Sequence, residues 1–255
     1  PVQTEEYYSN NVNLTNFKED INNAALALDA LNEVSTLEEK KEKYLEARMY
    51  FKSIEPILAF VDSENYGYLN QPNILKVEEE DFTDIKIKEP TGFQVIEELL
   101  FDEVVDTLAL KQNVTTTAIR LKFLHKNQTL QYLKKHHILW ILRDAINRVA
   151  LTGITGFDSP VLENSLEESK TVYISLQKIL TIYENEFKNK ALFTSWMQQI
   201  ENSIAFLGSA KFEKFDRFTF IKEHTHKSLS LWQQTVTDWA VVFPFKQAIN
   251  YEAST

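Results

Sequence analysis

The sequence predicts an all-α protein made of two antiparallel helical bundles, and three observations carry that reading. Apolar residues recur at three-and-four spacing along nearly the whole chain, the pattern of amphipathic helices rather than strands. Only 5 Gly and 6 Pro occur in 255 residues, so the elements should be long and the turns few. The clearest break, Gly153, Gly156 and Asp158-Ser159-Pro160, divides an N-terminal bundle over 1–155 from a C-terminal bundle over 156–255.

The first helix follows from Leu14, Phe17, Ile21, Ala24, Leu28 and Leu31, one apolar stripe. Ser35-Thr36-Leu37-Glu38-Glu39 contains two overlapping capping boxes and starts the second helix. That helix continues through Tyr44, Ala47, Phe51, Ile54 and Leu58, and Pro56 late in the pattern should kink it beside Glu55. Residues 63–90 read as one long irregular stretch, with Gly67, Pro72 and the acidic run Glu78-Glu79-Glu80-Asp81, a solvated loop without calcium-loop spacing. A helix then opens after Glu89-Pro90-Thr91, with Thr91 as N-cap and Gln94 closing a capping box. Two more helices are expected over 102–134 and 135–152. Beyond the break, Tyr173, Leu176, Leu180, Tyr183 and Phe187 form one seam, and Phe193, Met197, Ile200, Ile204 and Leu207 another. The last helix covers 216–242, carries Ile221, Trp232, Val236 and Trp239, and ends at Pro244. No strand-like alternation and no internal repeat stands out.

Composition excludes several functions. Apolar content of 44% with 25% charged residues is that of a folded globular chain. The 27 Lys+Arg against 37 Asp+Glu give a net charge of −10, which argues against a nucleic-acid partner. With no cysteine, disulfides, thiolate metal sites, a cysteine nucleophile and Cys-x-x-Cys-His haem attachment are ruled out within these residues. No apolar run reaches the roughly 18 residues of a membrane span; the nearest, around Ile138-Leu139-Trp140-Ile141-Leu142, is cut by Arg143 and Asp144. Beginning at Pro1, without methionine or signal peptide, the numbering reads as that of a processed or trimmed chain.

Gly92-Phe93-Gln94-Val95-Ile96-Glu97 is the most informative stretch. Gln94 and Glu97 are three apart, so one helix face presents an amide and a carboxylate together. Glu97 lies past the first turn and shares its helix with Ile96, Leu99 and Leu100. Glu55, on a different helix of the same bundle, could complete a paired-carboxylate site, since inward carboxylates on facing helices build the di-metal sites of bundles. Such sites use Glu-x-x-His, whereas this chain has Gln94-x-x-Glu97 in the reverse order and without imidazole. The five histidines offer no metal site. His224 and His226 point about 200° apart on a helix, His136 and His137 diverge by about 100°, and no His-Glu-x-x-His pair exists. Nor is there a Gly-x-Ser-x-Gly elbow or a phosphate-binding glycine loop.

Three stretches resemble the imelysin-like family of bacterial cell-envelope proteins. Residues 48–60 (Arg-Met-Tyr-Phe-Lys-Ser-Ile-Glu-Pro-Ile-Leu-Ala-Phe) look like the family helix that faces its signature. Gly92-x-Gln94-x-x-Glu97 resembles the Gly-x-His-x-x-Glu signature, with glutamine in place of histidine. Residues 248–253 (Ala-Ile-Asn-Tyr-Glu-Ala) carry the third likeness. The spelling Glu-Pro-Thr-Gly-Phe-Gln-Val-Ile-Glu-Glu-Leu-Leu-Phe is similar to the N-terminal extension of bacterial di-haem cytochrome c peroxidases. The resemblance implies two helical bundles, a place in the periplasm or outer envelope with a lipid anchor upstream of residue 1, and iron uptake or peptidase activity. Carried over by position, Glu55, Gln94 and Glu97 form the candidate ligand-binding set, with Glu55 and Glu97 as the metal ligands if a metal binds. The missing histidine weakens that option, because a neutral amide oxygen is a poor ligand for zinc or iron. The expectation is therefore a non-catalytic binding or accessory domain without a cofactor of its own. Its partner would be an unidentified ligand or protein, or an adjoining peroxidase domain carrying haem c. The competing expectation is an iron-binding protein or metal-dependent peptidase.

Overall fold

The computed structural model describes residues 16–81, 84–128, 130 and 132–243, with the backbone alone at 76–81 and 84–88. Leu14, Pro244 and the stretch 248–253 lie outside the described residues. The N-terminal half holds α1 (Phe17–Glu33), α2 (Leu37–Val61), α3 (Ser63–Asn70), β1 (Lys76–Asp81), β2 (Asp84–Lys88), α4 (Phe93–Phe101), α5 (Thr107–Asn127) and α6 (Lys135–Arg148). A π-helical turn (Val149–Gly153) extends α6. After it come α7 (Ser165–Ile182), α8 (Lys190–Leu207), α9 (Arg217–Thr219), a second π-helical segment (Phe220–Thr225) and α10 (His226–Asp238). The fold is an all-α helical bundle.

The periodic stripes become the core. Phe17, Ile21, Ala24, Leu28 and Leu31 of α1 are buried, and α1 packs between α2 and α5. The α2 start is the Thr36–Glu39 box. The Thr36 hydroxyl accepts from Glu39 N at 3.2 Å, and Glu39 Oε2 accepts from Thr36 N at 3.1 Å. The helix runs past Pro56 to Val61. It also contacts α6 and α7, so it is the central element. Buried apolar side chains from Phe17 to Trp239 make one contiguous cluster that crosses the break. A stretch outside the long helices separates the π-helical turn, which ends at Gly153, from the start of α7 at Ser165.

Four readings need correction. The irregular stretch 63–90 is structured. Asp62 caps α3 by accepting from Asn65 N, and an antiparallel hairpin pairs Val77 with Ile87 and Glu78 with Lys86. The alternation Ile85-Lys86-Ile87-Lys88 is the missed signal. The helix expected over 102–134 is shorter, because the Asp106 carboxylate caps Leu108 N and Ala109 N and α5 ends at Asn127. The last helix, expected over 216–242, is made of α9, a π-helical segment and α10, and its Ile221 is exposed. The π-helical segment lengthens each turn and rotates the face, so Phe220 and His224 are buried instead. The N-cap of α4 is Gly92, not Thr91, and no side chain caps that helix.

Candidate functional site

Gly92 explains how the signature helix is held. Its φ of +108° is open to glycine alone, and a bridge pairs its backbone with Asn70 at the end of α3. A Cβ at Gly92 would stand 2.4 Å from Leu69 O, so any side chain would force the two segments apart. This contact turns Gln94 toward α3, where its Nε2 donates to Asn70 O at 3.1 Å. Gln94 therefore neither caps its own helix nor stands free. It ties α4 to α3.

Glu97, one turn further on, is fully buried. Its Oε1 accepts from Val161 N at 2.9 Å, Leu162 N at 3.0 Å and Ser159 Oγ at 3.1 Å. Its Oε2 accepts from Tyr44 Oη at 2.9 Å and is 3.2 Å from Ser159 Oγ. Burial, with the Glu97 charge beside it, pushes the Tyr44 phenol well above its ordinary range. A carboxylate holding two backbone N–H groups and two hydroxyls behaves as a clamp on the 159–162 turn.

Glu55 belongs to a second buried group, centred on α2. Arg48, Lys52 and Glu55 follow one another at four and three residues and so share a face. Arg48 meets Glu168 of α7 with two parallel bonds, Nε–Oε1 at 2.8 Å and Nη2–Oε2 at 3.0 Å. It also donates to Asn70 Oδ1 and Asp158 O, both at 2.6 Å. Lys52 Nζ donates to Glu55 at 3.0 Å and Asp158 Oδ2 at 2.9 Å, and lies 3.5 Å from Glu168. Tyr66 donates to Glu55 Oε1 at 2.7 Å, and Asn70 Nδ2 reaches Asp158 Oδ1 at 3.2 Å. Arg148 adds a third cation, 4.7 Å over the Tyr66 ring. Three cations thus face the three carboxylates Glu55, Asp158 and Glu168.

The electrostatics hold Asp158 and Lys52 in their charged forms. Burial alone would raise the Asp158 carboxyl, but Lys52 and Arg48 hold it down to about 2. Burial alone would lower Lys52, yet Asp158 and Glu55 keep its ammonium above the ordinary lysine range. Tyr66 is pushed up by burial and by the Glu55 charge.

All three residues singled out from sequence are buried and hydrogen-bonded within one polar network. Their hydrogen bonds run to other residues rather than to one another. Gln94 connects through Asn70 to Asp158, Asp158 through Lys52 to Glu55, and Glu97 through Ser159, the neighbour of Asp158 in the chain. Among the described residues, no three His, Asp or Glu side chains gather to hold a metal ion. His224 is buried, with Nδ1 3.1 Å from Ser203 Oγ, and His226 is exposed. The side chains of the acidic run at 78–81 lie outside the described residues. Sequence reasoning missed Arg48, Lys52, Asn70, Asp158, Ser159 and Glu168. One signal was present: Arg48, Lys52 and Glu55 fall in phase with buried Tyr44, Phe51 and Leu58 on α2, where a solvated charge has no place. Comparison with protein-family models and with curated proteins finds no match for this chain.

Proposed function

We propose that this chain is a non-catalytic accessory domain of imelysin-like type, acting in the periplasm or outer envelope beside a di-haem cytochrome c peroxidase module. The observation that carries the non-catalytic part is the use already made of the signature carboxylate: both oxygens of Glu97 are occupied by four internal donors. A metal at Glu97 would have to displace buried N–H and O–H groups, each costing about 1–3 kcal/mol when left unpaired. Acid–base chemistry needs a group whose pKa lies near the working pH. Asp158 at about 2 and Lys52 above its ordinary range are held in single charge states at neutral pH. Glutamine at position 94 in place of the signature histidine supports the same reading. Among the described residues, no helix is long and apolar enough to cross a membrane, which suits an accessory domain carried by an anchor or a neighbouring module.

The test is calorimetric titration of the purified chain with zinc, ferrous and ferric iron, alongside a peptide-hydrolysis assay. The expected result is no tight binding and no cleavage. Stoichiometric binding at micromolar affinity, abolished by Glu97→Ala in a chain that still folds, would instead establish the iron-binding or metallopeptidase reading. The peroxidase association is checked in the coding sequence after Thr255, where Cys-x-x-Cys-His motifs are expected.

A further inference from the structure

α1 and α5 lie side by side and antiparallel. Asn32 Nδ2 donates to Thr115 Oγ1 at 3.1 Å, Lys122 Nζ meets Asp29 at 2.6 Å, and His125 Nδ1 lies 2.9 Å from Lys18 O. One side of each helix is core, with Ile21, Leu28 and Leu31 on α1 and Leu110, Val114 and Leu121 on α5. The other side is open. Leu26 stands there on α1, and Ile119 and Phe123, one turn apart, on α5; each is more than half exposed. Leu26 is three residues from Asp29 and Ile119 three from Lys122, so the Asp29–Lys122 pair puts the three apolar side chains on one continuous face.

The charges on this face divide by helix. α1 carries Glu19, Asp20, Asp29 and Glu33 against Lys18 alone, whereas α5 carries Lys111, Arg120, Lys122 and Lys126 and no acidic residue. Asp20 and Arg120 turn away, to Ser53 and to Asn65. Glu19 and Lys126 are exposed, and neither has an ion pair of its own among the described residues. The Asp29–Lys122 pair is itself open to solvent, which leaves both groups free to make further contacts. A chain of net charge −10 repels its own copies over most of its surface. Here an acidic stripe and a basic stripe run beside each other with apolar residues on both.

A two-fold axis parallel to the helices and between them lays α1 of one copy over α5 of the other, at unchanged height. Acidic stripe then meets basic stripe twice. Glu19 is level with Lys126, because Lys18 and His125 touch, so Glu19 faces Lys126 of the second copy. Leu26 lies six residues back from the Asn32–Thr115 contact, level with the span between Ile119 and Phe123, and packs on both in the second copy. The two Asp29–Lys122 pairs alternate in sign around the axis. An axis across the helices would instead stack α1 on α1 and α5 on α5, like charge on like. We infer that this face binds a second copy of the chain, closing α1 and α5 of both into an antiparallel four-helix bundle. The face is about 25 Å long and two helices wide, on the order of 500 Å² per copy, the small end of specific interfaces, so the dimer is reversible.

The test is sedimentation equilibrium of the intact chain at low salt, which separates the 29.7 kDa monomer from a dimer of twice that mass. A concentration-dependent dimer is expected, weaker as salt is added. Ile119→Glu puts a carboxylate at the centre of the face and should weaken the dimer about 100-fold, since the two-fold axis counts the change twice. Glu19→Lys and Lys126→Glu should each weaken it about tenfold, and the double exchange should restore it. All three positions are exposed, so the circular dichroism spectrum should stay that of the parent chain. A monomer at every concentration, a dimer indifferent to Ile119→Glu, or a double exchange no tighter than the single variants would overturn the inference.

Discussion

Glu97 carries four donors on two oxygens, which makes its replacement the sharpest test at the scale of single residues. Glu97→Ala leaves two backbone N–H groups and the Ser159 hydroxyl buried without that acceptor, while Tyr44 Oη can turn to Phe93 O at 3.1 Å; a cost of about 3–5 kcal/mol is expected in urea denaturation. Glu97→Gln keeps one acceptor for the N–H pair, and the hydroxyls can turn to accept from its amide; about 1–2 kcal/mol is expected. Asp158 gives a pH signature. Its carboxyl is held at about 2 against an ordinary 3.8, so the folded state binds this proton more weakly than the unfolded chain. The resulting stabilisation, about 2 kcal/mol at 1.36 kcal/mol per pKa unit, is fully present above the ordinary carboxyl range and is lost as pH falls toward 2. Asp158→Asn should flatten that part of the acid-denaturation curve and lower stability at pH 7. Gln94 and Glu97 were legible because helical spacing is local information. Their partners were not: Arg48 meets Glu168 across 120 residues and Glu97 meets Ser159 across 62, and periodicity says nothing about pairings at that range.

Secondary elements depend here on a few positions where the backbone has no alternative. Gly92→Ala would place a Cβ 2.4 Å from Leu69 O at φ +108°, breaking the bridge to Asn70 and pulling Gln94 off α3. A loss above about 3 kcal/mol is expected, read as a large fall in Tm. Gly67 is the internal control, since a Cβ there meets nothing within 4 Å inside α3; Gly67→Ala should stabilise by up to about 1 kcal/mol. Equal effects at the two positions would show that the bridge does not hold the signature helix. Helix starts such as Thr36 were readable because capping chemistry is written in four residues. The π-helical segments were not, since they come from packing rather than propensity, and with them went the burial of Phe220 in place of Ile221.

The molecule as a whole is held together through α2. One face packs on α1 and the other on α7, and Arg48 and Lys52 reach from it to Asp158 within the break and Arg48 to Glu168 beyond it. A buried ion pair contributes little net stability compared with apolar residues of similar shape, but breaking half of it strands a charge. Arg48→Met alone should therefore cost about 3–5 kcal/mol, and so should Glu168→Leu. The double variant should lose much less than the sum, a coupling that a double-mutant cycle in urea would measure directly. Additive losses would mean that the pair does not couple the two halves. The same geometry bears on the division of the chain at residue 155. A fragment of residues 1–155 would keep Arg48 and Lys52 but lose Asp158 and Glu168, leaving two cations on an apolar face stripped of α7. Such a fragment should show little cooperative unfolding by far-ultraviolet circular dichroism. The intact chain should unfold in one transition, seen alike by circular dichroism and by fluorescence of the tryptophans in α6, α8 and α10. Two separated transitions, or a stable fragment, would show that the halves fold independently and that the buried charges only dock them.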